Sequence, residues 1–306
     1  MSESIIIGSR GSPLALKQTE YFCGLLKAAY PAITVETRII KTTGDRILNA
    51  PLTQIGGKGI FVKEIEEALL CHDIDIAVHS MKDVPTELPK NLILPVVLKR
   101  TEYRDALVSQ KFSGLSALPL GVVVGTSSFR RKIQILRRRP DLTVKDIRGN
   151  VDTRLKKMDS GEYQALVMSA AGMERLGWGD RIREYLDFLP APGQGALALE
   201  IRKNDHSVLR LIARFNDACS ARAVRLERFF LEKMGGGCQA PIGAYAEMKG
   251  NRFVMKVFIG SLDGKRILEH TVEDFLHHAS KKIEWLSQTI LENGGKDILK
   301  AVCGTS

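Results

Sequence analysis

The sequence predicts an α/β protein. It has two similar domains of alternating strands and helices, followed by a small C-terminal α+β domain with an antiparallel three-stranded sheet. Three observations carry this reading. A short apolar run that ends in glycine and leads into a Ser/Thr-capped helix occurs twice, at Ile5–Gly8 before Ser12 and at Val122–Gly125 before Thr126-Ser127-Ser128. Two further buried-strand patterns, Ile74 to Val78 and Leu166 to Met168, run into Ser80 and Ser169. In the final third, period-two strands with Gly250-Asn251 and Asp263-Gly264 turns replace that pattern. A chain of 306 residues also exceeds what one core usually holds.

The elements follow in order. Ile5-Ile6-Ile7 is a strand, and Ser12-Pro13 supplies the N-cap and first-turn proline of a helix running to about Tyr30. Val35, Thr37 and Ile39 alternate as a second strand. Residues 42–60 hold Gly44, Gly56, Gly57 and Gly59 without periodicity, which predicts a long mobile loop closing over the site. Phe61, Ile65, Ala68 and Leu69 mark the next helix. In the second array Ile133 and Leu136 sit on a helix, Val144 and Ile147 in a strand, and Val151, Leu155 and Met158 on a helix. A helix from about Ser220 to Met234 stops at Gly235-Gly236-Gly237. Strands at 245–248, 253–259 and 267–271 follow, and then a helix with apolar positions 275, 279, 283, 286 and 290.

Composition narrows the function. No apolar run approaches the ~20 residues of a membrane span. The start lacks the basic and apolar regions of a signal peptide, so the chain reads as cytoplasmic with no membrane partner. Cys23, Cys71, Cys219, Cys238 and Cys303 are odd in number, widely spaced and without a CxxC pair, which argues against a disulfide framework or a zinc knuckle. Cys23 and Cys71 fall in amphipathic helical patterns and read as core residues. The formal net charge is +10, concentrated between Phe129 and Arg154, where nine basic residues against three acidic ones leave a local +6. That balance points to a polyanionic partner, nucleic acid or a poly-carboxylate, and the predominance of arginine suits bidentate recognition of carboxylates.

Several familiar chemistries fail on inspection. Gly-Gly-Lys-Gly at 56–59 lacks the spacing and the Ser/Thr of a phosphate-binding P-loop. The histidines at 72, 79, 206, 270, 277 and 278 form no metal-ligand set, and no GxSxG elbow occurs. What remains is His79-Ser80-Met81-Lys82-Asp83-Val84-Pro85, just past a buried strand where α/β folds place ligands. There Asp83 suits a general acid/base and Lys82 a carboxylate anchor, against the alternative of a solvated surface pair. Arg130 and Arg131 open a helix whose N-terminus already attracts anions, whereas Arg137 to Arg139 near its end read as solvent-facing. Cys238 stands outside any apolar period, in a Gly-Gly-Gly-Cys-Gln-Ala-Pro loop after a helix, and is a candidate for covalent attachment.

These stretches together resemble the porphobilinogen deaminase (hydroxymethylbilane synthase) family. The resemblance rests on Ile7-Gly8-Ser9-Arg10 through Leu14-Ala15-Leu16-Lys17-Gln18, on Gly56-Gly57-Lys58-Gly59-Ile60-Phe61-Val62-Lys63-Glu64, and on His79 to Pro85. It rests also on Gly125 to Arg131, Arg148-Gly149-Asn150-Val151-Asp152-Thr153-Arg154, Ala191-Pro192-Gly193-Gln194-Gly195-Ala196 and the Cys238 loop. The closing domain matches in pattern only.

The resemblance implies an enzyme that joins four porphobilinogen molecules head to tail, with loss of ammonia, into hydroxymethylbilane. Growth takes place on a dipyrromethane cofactor held by a thioether to Cys238. Each pyrrole adds an acetate and a propionate, for which the arginine-rich stretch is the physical counterpart. Carried over residue by residue, Asp83 is the catalytic acid/base, and Lys82, Thr126, Ser128, Arg130 and Arg131 hold the cofactor. Arg10, Ser12, Gln18, Lys58, Phe61, Arg148, Arg154, Arg175 and Gln194 take the substrate and growing chain. The implied fold is two domains like those of periplasmic binding proteins: residues 1–98 with 196–213, then 104–190, with a third domain at 218–306. A monomer with a small-molecule substrate and no metal is expected. A non-catalytic anion-binding module would need neither Cys238 nor Asp83. A nucleic-acid binder would need aromatic platforms or a helix-turn-helix, which the sequence does not offer.

Overall fold

The computed structural model describes residues 4–46, 62–236 and 240–303. The chain opens with β1 (Ser4–Arg10), α1 (Pro13–Ala29), β2 (Thr34–Ile40), α2 (Thr43–Arg46), α3 (Lys63–Leu70), β3 (Ile76–Ser80) and β4 (Leu92–Val97). It continues through β5 (Asp105–Val108), β6 (Val123–Gly125), α4 (Phe129–Arg138), β7 (Thr143–Lys145), α5 (Val151–Asp159), β8 (Ala165–Ser169), α6 (Ala170–Arg175) and β9 (Ile182–Leu186). The remainder is β10 (Leu197–Arg202), α7 (His206–Ile212), α8 (Ala218–Lys233), β11 (Ile242–Lys249), β12 (Arg252–Gly260), β13 (Ile267–Phe275), α9 (Ala279–Ile290) and α10 (Lys296–Cys303).

The chain divides into two compact units, Met1–Thr101 with Ala196–Ala221, and Glu102–Gly195 with Arg222–Ser306. The first holds a five-stranded sheet of order β2-β1-β3-β10-β4, and the second one of order β7-β6-β8-β5-β9 together with the antiparallel sheet β11-β12-β13. The α/β class with a closing three-stranded sheet is thus the architecture found. The two five-stranded sheets are wired alike: three parallel strands, then an antiparallel fourth. In the first unit the fourth strand is β10, which comes from after β9; in the second it is β5, which follows β4.

Packing follows from strand alternation. In the first unit Ile7, Ile76 and Val78 meet Phe22 and Leu26 of α1 and Val208 and Ile212 of α7. Ala77, on the opposite face, meets Ile65 and Leu69 of α3. In the second unit Val124 and Val167 pack on Ile135 of α4, while Leu166 and Met168 pack on Leu155 and Met158 of α5. Burying each such side chain contributes roughly 1.5–3 kcal/mol. In the closing domain Phe230 of α8 and Ile283, Leu286 and Ile290 of α9 cover Phe253, Met255 and Val257.

Some local expectations change. Residues 42–60 do not begin as a plain loop, since Thr43–Arg46 forms a helical turn in which Thr43 N and Oγ1 both donate to the Glu64 carboxylate. The predicted lid beyond it lies outside the described residues. Ile147 falls past the end of β7, where its N–H donates to Ser127 Oγ at 3.0 Å. Phe275 ends β13 rather than starting a helix. Cys71 is exposed at the C-terminal cap of α3 rather than in the core. Cys23 is only partly buried, and that burial pushes its thiol up. Arg139 does not simply face solvent: it pairs with Asp141 at 2.6 Å and donates to the carbonyls of Leu115 and Leu118, tying down the preceding loop. Four strands that the sequence patterns did not single out, β4, β5, β9 and β10, complete the sheets.

Candidate functional site

In the first unit the candidate residues gather at the carboxyl ends of two neighbouring parallel strands, since β1 pairs with β3 through Ile7–Ile76 and Gly8–Ala77. Arg10 closes β1, and Ser12 caps α1 by accepting from Ala15 N at 3.3 Å. A cap of this kind is worth about 1 kcal/mol, so Ser12 has a structural task whatever else it binds. Ser80 closes β3, and a single 3-10 turn, Met81–Asp83, presents Lys82 and Asp83, both half-buried. Gln18, buried on α1, donates from Nε2 to Ser80 Oγ at 2.8 Å and fixes the base of that turn. Met81 N donates to Ala196 O at 3.0 Å, which ties the turn to the entry of β10.

Below it lies a buried polar group that the sequence reading missed. His79 Nε2 meets Glu200 Oε2 at 2.9 Å, with both side chains buried. Glu66 of α3 faces the same pair. Burial first, and then the charge of Glu200, push the Glu66 carboxyl up to about 7, against the opposing pull of His79. One oxygen each of Glu66 and Glu200 is buried without a hydrogen-bond partner among the described residues. The signal was present as a glutamate inside the apolar run Leu197-Ala198-Leu199-Glu200-Ile201.

In the second unit the candidates gather at the equivalent strand ends. Thr126, fully buried, donates from N to Lys145 O at 3.0 Å, and its Oγ1 accepts from Ser128 N at 3.3 Å. Ser128 caps α4, accepting from Arg131 N at 3.5 Å. Arg130 and Arg131 then open the helix as read from sequence, but both are buried. Their forks converge on Asp105, the first residue of β5, which lies opposite Ser169 at the end of β8. Arg130 reaches Asp105 Oδ2 at 2.6 Å and Oδ1 at 3.2 Å, and Arg131 reaches Oδ1 through Nε at 2.9 Å and Nη2 at 2.8 Å. Burial alone would raise Asp105, but Arg130 and then Arg131 outweigh it and hold the carboxyl well below the usual carboxylate range. Gln194 joins the cluster, donating to Asp105 Oδ1 at 3.0 Å and to Tyr103 O at 2.7 Å. Asp105 also escaped the sequence reading, although an acid heading the run Ala106-Leu107-Val108 marks a charge at a buried strand end.

The remaining arginines surround this cluster unequally. Arg154, partly buried on α5, donates from Nε to Gly149 O at 2.8 Å. Burial, and then the like charges of Arg131 and Arg148, push its guanidinium down to about 10. Arg175, at the end of α6, donates to Gly195 O at 2.8 Å. Behind them Glu227 of α8, fully buried, accepts from Gly193 N at 2.7 Å and Ala246 N at 2.8 Å, so the closing domain anchors the 191–195 segment. Lys58, Phe61 and Cys238 lie outside the described residues. Among the described residues no group of His, Cys, Asp or Glu has the arrangement to hold a metal ion, and no helix is long and apolar enough to cross a membrane. Chemically, the second unit offers cations and hydroxyl donors suited to carboxylates, and the first offers a carboxylate and a lysine at a strand end.

Two family models match the chain. One, described as "Porphobilinogen deaminase, dipyromethane cofactor binding domain", covers residues 5–210, and the other, "Porphobilinogen deaminase, C-terminal domain", covers residues 221–292. A relative from Geobacillus kaustophilus (strain HTA426), called "Porphobilinogen deaminase", is 50% identical over 273 residues, 88% of each chain. Another so named, from Syntrophobacter fumaroxidans (strain DSM 10017 / MPOB), is 42% identical over 306 residues, 99% of each chain. Among solved structures, a putative methionine-binding lipoprotein from Bacillus subtilis overlays with a TM-score of 0.41 at 13% identity, covering 69% of this chain and 88% of that one.

Proposed function

We propose that this chain, which belongs to the porphobilinogen deaminase family, joins four porphobilinogen molecules head to tail, with loss of ammonia, on a dipyrromethane held by Cys238. The observation that carries the reading is the gathering of cations at one set of strand ends, where the buried Arg130 and Arg131 converge on Asp105 and Arg154 feels the charges of Arg131 and Arg148. Cations gathered at the carboxyl ends of strands mark a place where an anion is expected. A chain of pyrroles, each carrying two carboxylates, supplies such an anion, and the donor set fits it: guanidinium forks and hydroxyls for carboxylates.

When bound, the dipyrromethane supplies a free pyrrole α-carbon as the acceptor for the first substrate. The protein's residues do the rest. Arg131, Ser128, Thr126 and Lys82 orient the cofactor carboxylates, with Arg130 supporting them from its buried position. Arg10, Arg148, Arg154 and Arg175 bind the carboxylates of substrate and product chain, and Gln194 braces their neighbourhood. Gln18 and Ser12 act at the base of the site in the first unit, and Lys58 and Phe61 complete the substrate contacts. Asp83 stabilises the positive charge left on the substrate pyrrole as its carbon–nitrogen bond breaks. After the ammonia has left and the new carbon–carbon bond has formed, it accepts the proton lost from the attacking ring carbon as that ring regains aromaticity, and returns it to the aminomethyl group of the next substrate molecule. The turn at 81–83, fixed by Gln18 and by Ala196 O, supports this role by limiting where the carboxylate moves. The reading takes the enzyme as a cytoplasmic monomer, which light scattering and cell fractionation check.

Intact mass tests the whole. Purified protein should exceed the mass of its chain by two deaminated pyrrole units and give colour with an acidic aldehyde reagent for pyrroles. Cys238→Ala should lose that increment and all activity, while Cys23→Ala and Cys71→Ala keep both. Active protein with the mass of the bare chain refutes the proposal.

A further inference from the structure

Asp105 meets both arginines that open α4, yet no role in the reaction accounts for it. Removing the carboxylate from a buried charge cluster is strongly destabilising, because it leaves the cations uncompensated. Here one carboxylate meets two guanidiniums at the positive end of a helix. The charge of Arg131 also acts beyond the cluster, since after burial it is among the causes that push Arg154 down. The carboxylate also fixes geometry. It takes Nε and Nη2 of Arg131 edge-on while Val167 O takes Nη1 at 3.2 Å, and it shares Arg130 Nη1 with Leu189 O at 2.7 Å. Gln194, at 3.0 Å, holds the carboxylate itself in place. The arrangement sits at the carboxyl ends of β6 and β8, where ligands of α/β sheets bind, rather than in the middle of the core.

We infer that Asp105 is a positioning residue for the cofactor. It touches no cofactor atom, and acts by holding Arg130 and Arg131 in a fixed orientation, so that an incoming carboxylate finds preformed donors. This rests on the function proposed above.

Intact mass of purified Asp105→Asn, Asp105→Glu and wild-type protein tests it, with melting of each substitution in the Cys238→Ala background, where no cofactor is attached, reporting folding alone. The expected result is a folded Asp105→Asn whose cofactor-loaded fraction falls about 10–100-fold, the usual loss when a residue orienting a binding group is removed. Asp105→Glu should restore most of it. Full loading of Asp105→Asn overturns the inference, whatever its melting temperature. Should Asp105→Asn not fold, Arg130→Met is compared with Arg130→Met/Asp105→Asn, which buries one cation instead of two. Poorer loading of the double variant supports positioning of Arg131 by Asp105, and equal loading overturns it. Bare wild-type protein that is active overturns the function and this inference together, whereas loaded wild type beside equally loaded Asp105→Asn overturns the inference alone.

Discussion

Glu66→Gln should stabilise the protein at alkaline pH and leave it unchanged in acid. The Glu66 carboxyl is moved from its ordinary 4.5 to about 7, first by burial and then by Glu200, with His79 pulling the other way. The groups facing it are therefore His79 on β3 and Glu200 on β10, with Glu67 beside it on its own helix. Because the folded state holds this proton more tightly than the unfolded chain, its contribution to stability is complete below about pH 4.5 and is lost as pH rises through 7. At 1.36 kcal/mol per pH unit the ceiling is ~3.4 kcal/mol. Glu66 is only partly buried, so solvent screening brings the expected effect to about 1–2 kcal/mol. Glutamine is neutral at every pH and keeps a donor for the buried neighbours, so it avoids the penalty. Thermal melts of wild type and variant at pH 4.5, 6, 7 and 8 should give equal midpoints in acid and a variant advantage of roughly 2–8 °C at pH 8. Glu67→Gln, an exposed carboxylate on the same helix, is the control and should move stability by less than ~0.5 kcal/mol. A Glu66→Gln difference that is the same at all four pH values, or that favours wild type in alkali, refutes the account of the cluster.

Three further outcomes follow from individual residues. Asp83→Asn should retain the two-pyrrole mass increment while turnover falls ~10²–10⁴-fold in steady-state assays; near-normal turnover removes Asp83 from the mechanism. Gly195→Ala should lower stability by about 1–3 kcal/mol in denaturant titration, because φ is +88° and an added Cβ would lie 2.7 Å from Glu102 O. Arg154→Met should raise KM more than it lowers kcat, and in the Cys238→Ala background it should melt no lower than its parent, since it removes first the cost of burying a charge and then the repulsion from Arg131 and Arg148.

Which parts were legible in the sequence depends on where the signal lies. Capped helices announce themselves locally, and Ser12 and Ser128 stand as N-caps in the structure, with Pro13 opening α1. The parallel strands β1, β3, β6 and β8 also read well, because strands covered on both faces are continuous apolar runs. Strands β9 and β4 did not read, since Ile182–Leu186 carries Arg183 and Glu184 and Leu92–Val97 carries a proline, as edge strands often do. The arginines at 130 and 131 were placed on the right turn of the right helix. Their burial was not legible, because it depends on Asp105, which is 25 residues from Arg130 in sequence and reaches it only through sheet topology. The same holds for Glu200 and His79, which are 121 residues apart.

That topology also shows how one wiring carries two different sets of residues. In both five-stranded sheets the candidate residues follow the first and third strands of the parallel trio: Arg10 and Lys82-Asp83 after β1 and β3, and Ser128 to Arg131 and Arg175 after β6 and β8. In both, an antiparallel fourth strand begins opposite the serine that ends the third, so Leu197 faces Ser80 where Asp105 faces Ser169. With an apolar residue at that point, the first unit has no charge of its own there to compete with the turn bearing Lys82 and Asp83. With an acid there, the second unit can bury two arginines at a helix N-terminus without driving them apart. A single position, equivalent in the two sheets, thus separates a strand end bearing a lysine and a carboxylate from one bearing two buried arginines. The exchange of fourth strands between the two halves of the chain allows this difference: β5 and β10 come from different connections, so the residue at the head of each varies independently of the sheet that receives it.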